Sequence, residues 1–152
     1  MLKIGLIGCG HIAETYFRSQ KYFNNIEIVL CADINAEASK KCAQEYNIDV
    51  KEVDDLLADK EINTVLNLTT PQAHYEIIKK TLLAGKHSYC EKPLAHSAWE
   101  CRELTNIAKR MDVATQLGNQ RHANAGMART VEAVRAGVVG DIKEVYCFIG
   151  GS

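Results

Sequence analysis

The 152-residue chain lacks most of what would mark a protein for a membrane, a nucleic acid or an oxidising compartment. No apolar run reaches about 18 residues, so nothing reads as a membrane span. The apolar stretch 2–7 is too short for a secretory signal and runs at once into glycines and an acidic helix, so no signal peptide is expected. Neither sign of charge is in excess. Eighteen Lys and Arg against 19 Asp and Glu leave a formal net charge of −1, which gives no electrostatic reason to expect nucleic acid or an anionic membrane as partner. Proline occurs only twice, and no linker or internal repeat interrupts the chain. Among six cysteines there is no CxxC and no Cys/His pair at zinc spacing, so no metal site is expected. Cys9, Cys31, Cys90 and Cys147 lie in or beside apolar strand-like runs and read as buried free thiols serving as small hydrophobes, which fits a reducing cytoplasm.

What is present describes a globular domain. Hydrophobic residues make up 47% and charged residues 24%, enough apolar surface for one proper core and too much for disorder. Strand-like apolar runs at 2–7, 26–32, 63–68, 87–90 and 113–117, with a brief edge strand at 49–50, alternate with amphipathic segments. Helices are predicted over 11–23, over 36–46 with Asn35 as N-cap, as a turn at 53–59, and from Thr70-Pro71 to Leu83 before Gly85. Two more are expected over 97–110, with Ser97 and Glu100 spaced as a capping box, and over 127–136 before Gly137. Trp99, Leu104 and Ile107 read as core-facing. Continuous apolar strands separated by helices imply an α/β fold, a doubly wound parallel sheet covered on both faces. Residues 1–140 form this domain, and 141–149 is predicted to be a strand opening something further at 141–152.

The segment Gly8-Cys9-Gly10-His11-Ile12-Ala13 reads G-x-G-x-x-A between a strand and a helix, the context in which that pattern carries meaning. Gly8 permits a tight turn, Gly10 lets a pyrophosphate approach the backbone, and Ala13 keeps the helix close to the sheet. His11 and Ile12 contribute backbone N–H groups at a helix N-terminus, where the dipole favours phosphate. Asp33 closes the second strand about 20 residues on, where a carboxylate accepts hydrogen bonds from the adenosine ribose. It would repel the 2′-phosphate of NADP, and no Arg stands beside it, so NAD is favoured over NADP. The alternative for Asp33 is a helix cap, a role for which Asn35 is also available.

Ligands of open α/β sheets sit beyond the carboxyl ends of the strands. Those ends hold Gly8 to Ala13, Asp33, Thr69-Thr70-Pro71, Glu91-Lys92-Pro93 and Gly118-Asn119-Gln120. Five such termini together outline a ligand crevice. With Thr70-Pro71 and His74, Glu91-Lys92-Pro93-Leu94, and Val138-Val139-Gly140, they make essentially the whole chain resemble the N-terminal domain of the glucose-fructose oxidoreductase/inositol dehydrogenase/rhizopine catabolism family, the Gfo/Idh/MocA oxidoreductases.

The resemblance implies an NAD-binding Rossmann domain. In it, Lys92 reaches the nicotinamide and the reacting hydroxyl of a sugar, inositol or related polyol, and Pro93 aims that lysine. Thr70 and Pro71 line the nicotinamide ribose, Asn119 and Gln120 lie near the ring or substrate, and Glu91 belongs to the same site. For His74 a cofactor contact and a hydrogen bond to local backbone stay open. His87 and His96 are treated as structural, and His122 is a weaker candidate. Full members carry a second, β-rich domain that supplies the general base and most of the substrate wall. That domain is absent from this chain, which on this reading holds the cofactor half, turns over poorly or not at all alone, and forms homo-oligomers in the full-length protein. Two other functions stay open. One is NAD-dependent glycoside cleavage, which the stretch from Gly118 to His122 resembles. The other is a catalytically silent NAD-sensing module, against which an intact Lys92 argues.

Overall fold

A computed structural model of the chain describes residues 1–148. Six parallel strands form one sheet: β1 (Leu2–Ile7), β2 (Ile26–Ala32), β3 (Asp49–Val50), β4 (Thr64–Asn67), β5 (His87–Glu91) and β6 (Thr115–Gly118). They lie in the order β3-β2-β1-β4-β5-β6, the dinucleotide-binding Rossmann arrangement. Between them run α1 (Ala13–Ser19), α2 (Ala36–Tyr46), α3 (Val53–Ala58), α4 (Pro71–Leu83) and α5 (Ala98–Met111). This sheet and its helices form one compact unit, Met1–Gly118. A second unit begins at Asn119 and holds a 3-10 turn at Gln120–Ala123 and α6 (Ala125–Arg135).

The core divides by the pleat of β1, whose side chains alternate between faces. Ile4 and Leu6 pack with Ala13 and Phe17 of α1, Cys31 of β2 and Cys42 of α2. Ile7 faces the other way, against Leu56 and Leu57 of α3 and Val65 of β4. A third cluster joins Tyr75, Ile78 and Leu82 of α4 to Cys90 and to Leu104, Ile107 and Ala108 of α5. Helical crossovers thus cover both faces, as continuous apolar strands require. No helix among the described residues is long and apolar enough to cross a membrane.

Local signals place several ends. Asn35 caps α2 by accepting from the N–H groups of Glu37 and Ala38 at 3.0 and 3.3 Å. At α5 the reciprocal capping box forms: Ser97 Oγ accepts from Glu100 N at 3.2 Å, and Glu100 accepts from Ser97 N at 2.9 Å. Thr70 holds the N-cap backbone of α4, yet its side chain makes no capping bond, and Pro71 alone presets the first turn.

Four expectations need correction. The first helix starts at Ala13, not at residue 11, because His11 and Ile12 stay in the turn; it ends at Ser19 and continues only as a 3-10 turn, Gln20–Tyr22. The strand predicted over 141–149 does not form: residues 142–148 are exposed and pair with no strand among the described residues, and a strand needs a ladder partner. Ile149 lies outside the described residues. Trp99 is 63% exposed beside Tyr75, since its place in the first turn of α5 sets it off the stripe of Leu104 and Ile107. Cys147 is exposed, on that same unpaired segment.

The caps separate two otherwise similar threonine and serine signals. Ser97→Ala is expected to lower unfolding free energy by about 1 kcal/mol, and Thr70→Val to change it by less than about 0.5 kcal/mol, both read from urea unfolding midpoints.

Candidate dinucleotide site

Strand register sets the site. Ile7, the last residue of β1, pairs with Ala32 on one side and Asn67 on the other; Asn67 pairs with Cys90, and Glu91 with Gly118. Gly8, Asp33, Leu68 and Glu91 therefore leave the sheet along one edge. Strand order reverses at β1, with β2 and β3 to one side and β4 to β6 to the other. The crevice for a ligand falls at that reversal.

At its centre is the glycine turn. Gly8 has φ +103°, and a Cβ there would stand 2.6 Å from the Leu68 carbonyl carbon, so both backbone and space demand glycine. Gly8 N donates to Ala32 O at 2.9 Å, and Cys9 N donates to Asp33 Oδ2 at 2.7 Å. Asp33 Oδ1 accepts from Asn35 N at 2.8 Å. With Asn35 as the α2 cap, Asp33 is not the cap: it braces the turn across the ends of β1 and β2. The N–H groups of Gly10, His11 and Ile12 have no protein acceptor among the described residues, and all three residues are exposed. A Cβ built on Gly10 meets nothing within 4 Å. Three successive free donors beside an open approach make a concavity suited to an anion. The diphosphate of a dinucleotide fits that donor set.

Across the reversal, a second turn is held as firmly. Asn67, fully buried, accepts from Thr69 N at 3.1 Å and from Thr69 Oγ1 at 2.7 Å. His74 is 1% exposed, with Nδ1 2.5 Å from Pro93 O and Nε2 3.0 Å from Thr69 O. Its ring ties the turn before α4 to the turn after β5. Both ring nitrogens lie within reach of backbone carbonyl oxygens, so of the two roles left open for His74 the geometry here shows the one on local backbone. Thr70 and Pro71 stand exposed in front of it.

Beyond β5, the Lys92–Pro93 peptide is cis and Lys92 is exposed. The preceding Glu91 accepts a hydrogen bond from the Tyr16 hydroxyl of α1, with the Tyr89 hydroxyl 3.4 Å from that of Tyr16. Burial, then the Glu91 carboxylate, push the Tyr16 phenol above its ordinary range and keep it a donor.

The structure thus gathers Gly8, Gly10, His11, Ile12, Asp33, Thr70, Pro71, Glu91 and Lys92 at one edge of the sheet. Asn119 and Gln120 belong to the second unit, where both are exposed. His87 accepts from Ala114 N at 3.0 Å, a structural role, and the backbone N–H of His96 donates to Glu100. Sequence reading missed Tyr16 and Asn67 as organisers of the site. Asn67 carried a usable signal, since a lone amide inside the apolar run of β4 needs a buried partner.

Comparison with known proteins agrees with this geometry. The family model described as an oxidoreductase family with an NAD-binding Rossmann fold matches residues 2–119. The chain belongs to that family, the Gfo/Idh/MocA oxidoreductases. It is 32% identical over 149 residues to an uncharacterized oxidoreductase of Streptococcus pneumoniae, covering 97% of this chain and 39% of the relative. Over 143 residues it is 28% identical to the inositol 2-dehydrogenase/D-chiro-inositol 3-dehydrogenase of Lactiplantibacillus plantarum, covering 91% of this chain and 41% of that protein. The structure of scyllo-inositol dehydrogenase from Lactobacillus casei with bound NAD(H) and scyllo-inositol superposes with a TM-score of 0.84 at 19% identity, over 93% of this chain and 43% of the other, which shows the shared fold. The chain spans about two fifths of the length of the curated relatives it matches.

The two glycines of the turn separate folding from space for a ligand. Gly8→Ala is expected to cost at least about 2 kcal/mol of stability, from a positive φ and a backbone clash. Gly10→Ala should leave the thermal midpoint within a degree or two of wild type. Differential scanning calorimetry of both variants checks the contrast, and equal losses would contradict it.

Proposed function

We propose that this chain forms the cofactor half of an NAD-dependent dehydrogenase acting on an inositol, a sugar or a related polyol. The observation that carries the reading is the trio of free N–H groups at Gly10, His11 and Ile12, with the Asp33 carboxylate fixed beside them. The trio binds the diphosphate. Asp33 spends one lone pair of each oxygen on backbone N–H groups and keeps others for ribose hydroxyls. Its charge disfavours a 2′-phosphate at the same place, so NAD is preferred to NADP. Thr70 and Pro71 flank the nicotinamide end.

When bound, NAD supplies the hydride acceptor. Lys92, exposed on the turn after β5, orients the reacting hydroxyl and stabilises negative charge as it develops on that oxygen. Glu91, held by Tyr16, directs the turn from which Lys92 projects. The general base belongs to a part of the full-length enzyme beyond these residues, as does most of the substrate wall. The relatives named for inositol dehydrogenation support the substrate class.

Calorimetric titration tests the cofactor assignment. NAD is expected to bind this chain more tightly than NADP by at least tenfold, and Asp33→Asn, which keeps an acceptor for Cys9 N–H, should narrow that ratio. Asp33→Ala should weaken NAD by about 1.5–3 kcal/mol, the worth of hydrogen bonds to a charged group; equal NAD affinity in wild type and Asp33→Ala would overturn the ribose assignment. Chemistry is read in the full-length protein with a polyol panel. Growth of NADH absorbance supports oxidation. Aglycone release from glycosides without net NADH would replace it with glycoside cleavage, and cofactor binding with neither product would replace it with sensing.

A further inference from the structure

Three cysteines distant in sequence meet beneath the glycine turn. Cys9 is the middle residue of the G-x-G, Cys31 lies in β2 and Cys42 in α2, and their Sγ atoms all lie within 4.8 Å of one another. Parallel pairing of β1 with β2, and the return of α2 over β2, bring them together. Cys31 and Cys42 are buried and Cys9 is half-buried, and none is in a disulfide. The cluster is not sealed. A cleft of about 350 Å³ between α1 and α2 is lined by Cys9, Gly10, Glu14, Cys42 and Tyr46, which gives a small ion a way in.

We propose that Cys9, Cys31 and Cys42 form a three-thiolate site for a soft monovalent cation of the Cu(I) class. Soft sulfur donors select Cu(I), zinc or iron–sulfur centres over oxygen-preferring cations. Metal–thiolate bonds of about 2.3 Å set the corners of a planar triangle about 4 Å apart, so each edge found here needs to close by less than about 1 Å. Structural zinc takes four protein ligands, and among the described residues no fourth Cys, His, Asp or Glu joins these three. Three sulfurs without a fourth donor suit trigonal Cu(I). Binding displaces thiol protons to solvent, and the monovalent cation offsets one of the thiolate charges so created. A bound ion ties the turn after β1 to β2 and α2 through the Cys9 side chain, while Asp33 holds the same residue by its N–H. The site needs no nicotinamide cofactor.

The test uses the chain with its half-buried and exposed outliers removed, Cys101→Ser and Cys147→Ser, titrated anaerobically with Cu(I) against bicinchoninate. One equivalent is expected to be retained, seen in native mass spectrometry and as thiolate-to-copper charge transfer in the ultraviolet. Adding Cys42→Ser or Cys31→Ser should weaken retention by at least about tenfold, since even an outer-shell partner of a metal ligand costs that much. Cys90→Ser, in a different core cluster, should leave it unchanged. Circular dichroism of each variant confirms the fold, and Cys9→Ser, at the half-buried corner, repeats the measurement if a buried serine unfolds the chain. No retained Cu(I), undiminished retention in the folded cluster variants, or tighter retention of Zn(II) than of Cu(I) would each overturn the proposal.

Discussion

When a parallel strand ends, its next N–H group has no ladder partner, and leaving it buried costs about 1–3 kcal/mol. At the end of β1 that group belongs to Cys9, and the Asp33 carboxylate accepts it at 2.7 Å. The rest of the site follows from this bond. With Gly8 turned by a φ no other residue tolerates there, and Cys9 fixed to Asp33, the chain presents Gly10, His11 and Ile12 outward with their donors free. The same carboxylate is the one that the proposed function assigns to a ribose. One side chain thus shapes the anion cradle, and on the proposed function it also supplies the neighbouring contact.

The other half of the crevice uses the same physics with different residues. Asn67 and His74 are buried polar groups in an apolar interior, and each contacts the backbone of a turn that faces the ligand edge. Through His74 the turn before α4 and the turn after β5 share one fastener, 2.5 Å from Pro93 O and 3.0 Å from Thr69 O. Lys92 precedes Pro93 directly, so the lysine is positioned from behind by a residue that never touches solvent. Buried polar networks of this kind cost much when half-formed and specify one arrangement when complete.

Much of the fold was legible because its signals are local. β2, β3 and α2 appear over the residues read from hydrophobic runs and from Asn35, and the capping box of α5 forms as its Ser97 and Glu100 spacing implied. The glycine turn was legible for the same reason: its conformational demand lies within six consecutive residues. What stayed hidden depends on contacts between distant segments. Asp33 was read for its charge, and its bond to Cys9 is set by the register of β1 on β2. Tyr16 gives no sign in sequence that it meets Glu91 from another element. The spacing of Cys9, Cys31 and Cys42 matches no metal motif, yet a helix returning over a strand assembles them. The strand expected over 141–149 misled in the opposite sense, because a strand-like run still needs a ladder partner to exist, and 142–148 has none among the described residues.

On the proposed function, free amides after Gly8 receive a diphosphate while the Cys9 amide stays committed to Asp33. Amide-resolved NMR of the labelled chain during NAD titration reads both at once. The signals of Gly10, His11 and Ile12 are expected to move furthest and saturate together, with Cys9 already protected from hydrogen exchange before any cofactor is added. Saturation of other amides with those three unmoved, or a Cys9 amide that exchanges as freely as an exposed loop, would contradict it.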